Sequence, residues 1–218
     1  MGWLNDWVSY LPTMLGGLKY SAFIAVVTIV VGYPIGLGLS MMVTSRHFAV
    51  RTIGLAIVEI GRGAPALVVL YLVYYGLPRF GITFGSVTAA CVGLTFNSAA
   101  YSSEMMRGGI QAVPRGQLEA ASALGLSQSS TFRRVILPQG LRSAIPGLMG
   151  LAIQMFQGTS LAYAIAVPEL MKTAYNIGSQ NFDYLKVFML AGLVYAAVSM
   201  PATWITVYFE RRMSRRYA

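Results

Sequence analysis

The polar side chains that interrupt the apolar runs of this chain are where its chemistry must reside. Gln154, Gln157, Thr159 and Ser160 break one such run, with Gly158 among them. Groups of this kind serve either as hydrogen bonds between membrane helices or as contacts for a polar solute, because an unsatisfied polar atom at lipid depth is costly. Gly158 would let a ligand come close to the backbone. Asn97 and Tyr101, in another run, carry the same two readings, with a structural role preferred. Glu59 and Arg62 stand three residues apart. An ionisable residue inside a span is a functional-site candidate by default, but this spacing also allows pairing on one helix face, which is the preferred reading. Glu104 reads as a solvated carboxylate at a membrane boundary.

Several chemistries are excluded by what is missing. His47 is the only histidine and Cys91 the only cysteine, so the sequence offers neither a metal-ligand set nor an intrachain disulfide. No nucleophile–base arrangement appears, and no G-x-x-x-x-G-K-[ST] loop is present to cradle ATP phosphates. The expectation is therefore a chain without catalytic residues, metal ligands or a cofactor of its own.

The elements that position these residues follow from composition. Of 218 residues, 56% are hydrophobic and only 11% charged, where a soluble domain carries roughly 25% charged residues. A spanning helix needs about 20 apolar residues, and five apolar segments can be drawn, near 21–43, 54–77, 86–106, 141–167 and 185–209. The fold expectation is an all-α membrane protein with five transmembrane helices, forming a single domain over residues 1–218. A net charge of +9 in a soluble protein would point to nucleic acid. Here the arginines lie between and after the apolar runs, so lipid is the expected environment and no nucleic-acid partner is expected. Residues 1–21 lack the pattern of a cleavable signal; Trp3, Trp7, Tyr10 and Tyr20 suggest a segment resting at headgroup level.

Eleven arginines fall in the first connection (Arg46, Arg51), the third (Arg107, Arg115, Arg133, Arg134, Arg142) and the tail (Arg211, Arg212, Arg215, Arg216). The opposite side holds only Lys19, Arg79, Lys172 and Lys186. By the positive-inside rule the N-terminus is outside and the C-terminus cytoplasmic. The cytoplasmic connection at about 107–140 is far longer than a helix–helix link needs, and it is rich in helix formers. It is the expected docking surface. Within it stands GQLEAASALGLSQSSTFRRVILP, residues 116–138. Gln117–Leu124 reads as a short helix with small residues at Ala120, Ala121 and Ala123. Gly125 can end it in a left-handed conformation, Ser127 can cap a second helix, and Pro138 is expected to stop that helix before the fourth span.

Glu119, Ala120, Ala121, Gly125, Val135, Leu137 and Pro138 make this segment resemble the signature loop of bacterial ABC importer permeases, specifically the polar amino-acid uptake family. Further stretches resemble the same family: GRGAPALVVLYLVYYGLP (residues 61–78), AYSSEMMRGGIQAVPRGQLEAA (residues 100–121) and QGTSLAYAIAVPEL (residues 157–170). The resemblance implies a type I importer permease fold in the bacterial plasma membrane, with two permease subunits, identical or homologous, around a central path. It also implies two ABC ATPase subunits that bind ATP and magnesium, a periplasmic or surface solute-binding protein, and an amino acid as the substrate. Those seven residues would couple to the ATPase, and Gln154, Gln157, Gly158, Thr159, Ser160 and Asn97 would lie along the path. The family commonly shows Lys-Asp before Thr-Ser-Leu, whereas this chain has Gln157-Gly158 before Thr159-Ser160-Leu161. A carboxylate able to hold a cationic substrate is thus absent, and the preceding Phe156-Gln157 resembles permeases for glutamate and aspartate. A secondary transporter or channel driven by an ion gradient is the rival class. It would place ionisable residues at the membrane midplane, where this chain has no clear carboxylate, and it would have no use for the folded loop.

Overall fold

The computed structural model describes residues 2–214, with side chains described as far as residue 212. Arg215 and Arg216 of the basic tail lie outside the described residues. Every regular element among those described is helical. In chain order they are α1 (Gly2–Val43), α2 (Phe48–Gly63), α3 (Ala66–Tyr71, prolonged to Phe80 by a wide and then a tight turn), α4 (Ser86–Gln111), α5 (Arg115–Ala123), α6 (Gln128–Thr131), α7 (Leu137–Gly158), α8 (Leu170–Asn181) and α9 (Tyr184–Ser214).

The first helix is longer than its apolar run suggests. Residues expected at the headgroup level are continuous with the first span, and the whole helix has 42 residues, about 63 Å at 1.5 Å per residue against a hydrocarbon core of about 30 Å. Helix α1 packs most extensively on α4, and two glycines set that seam. A Cβ on Gly32 would stand 2.7 Å from the Ser98 Oγ, and one on Gly36 would collide with Ser102. Small-xxx-small spacing lets membrane helices approach this closely. The pairing also fixes register: the two helices run parallel, and Ser86 at the start of α4 falls level with Tyr20 of α1. The first turns of α1 therefore extend beyond α4, where α8 and the start of α9 pack against one face of them. Met14, Leu170, Ala174, Val187 and Leu190 form a separate buried core there. Trp7 donates its indole N–H to the Lys186 carbonyl at 3.0 Å, and the Lys186 ammonium lies between Asp6 at 3.1 Å and Asp183 at 2.7 Å. That ammonium holds the Asp183 carboxyl below the usual carboxylate range.

The second crossing is broken. Between α2 and the Ala66–Phe80 arm the chain turns by 104° at Ala64-Pro65, where proline cannot donate to a continuing helix and its predecessor is pushed into extended backbone. Three helices are long and apolar enough to cross a membrane on their own, and the broken pair makes a fourth if it is one span. Helix α4, of 26 residues, is long enough for the fifth. It lies inside the bundle against α1, α2 and α7, and its Ala, Ser and Gly residues suit that close packing better than lipid contact.

One expectation fails at Pro138. The helix that begins at Gln128 does not stop there; it runs on to Ile165 as one element of 38 residues. A widened turn at Phe132–Ile136, closed by the Leu137 N–H bonding the Phe132 carbonyl, immediately precedes the proline. Such a π-type turn opens the backbone where a proline ring would otherwise strike the preceding coil.

Candidate functional site

The loop at the α5 end is built as its local sequence dictates. Helix α5 ends on Gly125 at φ +69°. The Leu126 N–H bonds the Ala121 carbonyl at 3.1 Å and the Gly125 N–H bonds that of Ser122 at 3.0 Å, the paired closure that requires a left-handed residue. Ser127 then accepts from the Ser130 N–H at 3.3 Å and starts the next helix. Gln139 donates to Gln117 at 3.3 Å, tying α5 back to α7. Of the seven motif residues, Glu119, Ala120 and Gly125 are exposed and Ala121 is buried; Val135 and Leu137 are half-buried and Pro138 is exposed. Leu124 is 78% exposed at the corner. A cleft of about 260 Å³ opens between α5 and the following turn, with Leu118, Ser122 and Ile136 in its wall and Arg46, from the α1–α2 connection, at its edge. An acid, two small side chains and a bare leucine on a stiff corner can seat in another protein's groove.

The residues expected along a substrate path separate into two groups. Gln154 and Gln157 are exposed, and Gly158 and Ser160 are half-buried beside them. A Cβ on Gly158 would meet nothing within 4 Å, so open space adjoins this backbone. Helix α7 changes here into a tighter turn over Thr159–Ile165. Thr159 is buried and gives its hydroxyl to the Phe156 carbonyl at 2.7 Å. Asn97 faces elsewhere: it is 2% exposed, and its amide donates to the Gly61 carbonyl at 2.7 Å. With Tyr101, which donates to the Arg62 carbonyl at 3.0 Å, it secures the last turn of α2 just before the break.

Glu59 and Arg62 do pair, at 3.8 Å, but Arg62 stands nearer to Glu104 at 3.5 Å. Glu104 is not the solvated carboxylate expected from its position. Its side chain is held at 2.7 Å by Arg107, and four charges are thus linked from α2 to α4. No group of ligating side chains among the described residues has the arrangement of a metal site.

Glu169 escaped the sequence reading altogether. Its side chain caps α8, accepting from the N–H groups of Met171 at 2.8 Å and Lys172 at 2.7 Å. Ser21 of α1 and Tyr195 of α9 donate to the same carboxyl at 3.3 and 2.9 Å. The residue is wholly buried. A Ser, Thr, Asp or Asn at this position would have signalled a helix start; Glu in a Val-Pro-Glu-Leu run did not.

Residues 32–215 match the family of binding-protein-dependent transport system inner membrane components. The chain is 39% identical over 207 residues to the probable amino-acid ABC transporter permease protein YckA of Bacillus subtilis, covering 95% of this chain and 90% of that protein. It is 33% identical to the glutamate/aspartate import permease protein GltK of Escherichia coli, covering 95% and 97% respectively. The fold superposes on a crystal structure of an amino acid ABC transporter with histidines at a TM-score of 0.90, with 31% identity over 97% of this chain and 99% of that one.

Proposed function

The chain belongs to the family of binding-protein-dependent transport inner membrane components, and from that premise we propose how this permease subunit of an amino-acid ABC importer works. It is a multi-pass transport subunit of the inner membrane and not itself an enzyme; ATP is handled by a partner ATPase, and a substrate-binding protein delivers the cargo. The assembly then holds two permease subunits and two ATPases, with the α5 corner in the cytoplasm and the α8 end outside, an orientation that the arginine distribution supports.

The observation that carries this reading is the α5 corner. Glu119, Ala120 and Gly125 are exposed on a rigid, doubly bonded turn, and α6 leads from it without interruption into α7. ATP binding draws the two corners together, and each corner displaces the helix that carries Gln154 to Ser160. A loaded binding protein and ATP then favour the same conformer, as any coupled shift demands.

Gln154, Gln157, Gly158, Thr159 and Ser160 form the path-side stretch of this reading, and Asn97 acts on the path through α2. With Gly158 where the related pattern has a carboxylate, the stretch suits an acidic amino acid such as glutamate or aspartate. The test is competitive uptake of glutamate, glutamine and arginine by the reconstituted assembly, wild type and Gly158→Asp. The added carboxylate has room in the structure and should depress glutamate uptake about tenfold more than that of arginine, the scale of a nearby unit charge. An equal change for all three, with assembly and ATPase activity intact, would mean that this stretch does not select.

A further inference from the structure

Glu169 is a buried carboxyl that none of the functions above uses. It is 0% exposed, and no cation pairs with it among the described ion pairs. Four groups from three helices converge on it instead: two backbone N–H groups of α8, the Ser21 hydroxyl of α1 and the Tyr195 hydroxyl of α9. The Ser21 oxygen also accepts the Leu170 N–H at 3.3 Å. Capping α8 needs only the two backbone bonds; the two hydroxyls do something more.

Tyr195 indicates what that is. Its ring lies 5.5 Å from that of Phe156, and its hydroxyl donates to Glu169 at 2.9 Å. Phe156 and Thr159 bracket Gln157 and Gly158. The chain between this stretch and Glu169 passes through Ala166 at φ +60°, a left-handed conformation that costs a non-glycine residue energy and persists only where its surroundings impose it. Fully buried Ile165 and Val167 hold it on either side, and the Glu169 cap fixes the far end.

We propose that Glu169, acting through the Tyr195 hydroxyl, is a positioning residue that locks the Gln157–Ser160 stretch to helix α8, so that contact by a partner at the α8 end is delivered to the substrate path. This rests on the reading that residues 157–160 border the path and that α8 faces the binding protein. The link is short, and it joins two segments that the tight turn and the left-handed Ala166 already make stiff.

The experiment separates the cap from the link. Glu169→Asp keeps a residue well suited to capping α8 but withdraws the carboxyl from Tyr195 by one methylene. Tyr195→Phe removes the hydroxyl alone and leaves the cap intact. Each variant, and wild type, is reconstituted with its ATPase and binding protein in liposomes. Assembly, basal ATPase activity, ATPase stimulation by loaded binding protein, and uptake are measured. Both variants should assemble and keep basal ATPase activity, while stimulation and maximal uptake fall about fivefold, the scale of coupling carried by single residues along such a connection. The binding-protein concentration for half-maximal stimulation should not move. Full stimulation in both variants overturns the proposal. So does a loss in which basal and stimulated activities fall by one common factor, which would mark a scaffold role only. If Glu169→Asp does not assemble, Tyr195→Phe decides alone. Failure of the path reading appears separately, as an unchanged selectivity in Gly158→Asp.

Discussion

The two ends of this bundle are finished to different degrees. At the α8 end, Met14, Leu170 and Ala174 are fully buried, and polar ties bind α1, α8 and α9 around them. At the α5 end, Leu118 and Leu124 are 42% and 78% exposed, and Ala121 alone of α5 is buried. The α8 end has a core of its own within one chain, with Phe182 at the turn into α9 left 90% exposed. The α5 end has a rigid backbone and an uncovered surface, which is what a seat for a second protein requires.

The sharpest way to break the contrast is to damage the finished end. Leu170→Ala removes a fully buried side chain from that core and should cost about 3 kcal/mol. A lowered melting temperature of the detergent-solubilised subunit, with or without its ATPase, checks this; an unchanged one would show that the α8 end is not a core at all. At the other end, Glu119→Lys should leave that melting temperature alone, because the side chain is exposed. Transport should nevertheless be lost to background, with the protein at normal abundance in the membrane. Normal uptake by this variant would sink the docking role.

Two substitutions of one residue sharpen the point further. Gly125→Val forces a β-branched side chain to positive φ, whereas Gly125→Asn does not, a difference of about 1 to 2 kcal/mol at the corner. Co-purification of the ATPase should fall several-fold more with valine; equal recovery would mean that the corner does not present the docking surface. The smallest effect concerns Asp183→Asn. It weakens a partly exposed pair with Lys186 and should leave the melting temperature unchanged, because screened pairs of this kind contribute little.

How far the sequence disclosed this molecule depended on the span of each interaction. The α5 corner was legible residue by residue, because Gly125 and Ser127 act on neighbours within four positions. The five crossings were legible as apolar runs, but not where tertiary cover replaced lipid. The uninterrupted α1 was hidden since one face of its first turns packs on α8 and α9, far along the chain. Pro138 was read by a local rule that a widened turn set aside. At Glu104 the spacing to Arg107 allowed a local pair, but the link to Arg62, on another helix, could not be placed. Glu169 was invisible for the same reason in stronger form: Ser21 lies 148 residues away in sequence and Tyr195 lies 26 away.

The α1 seam with α8 and α9 also sets a timetable for synthesis. Trp7 meets Lys186, 179 residues later in the chain, and at about 5–20 residues per second a ribosome needs on the order of ten seconds or more to make that stretch. Until α8 and α9 are made, the Met14 face of α1 lacks the residues that bury it. A nascent chain arrested before α8 would hold every residue of the α5 corner and yet leave the Met14 face of its first helix uncovered, which exposes stalled or truncated chains to membrane proteases at the end opposite the one that meets the ATPase.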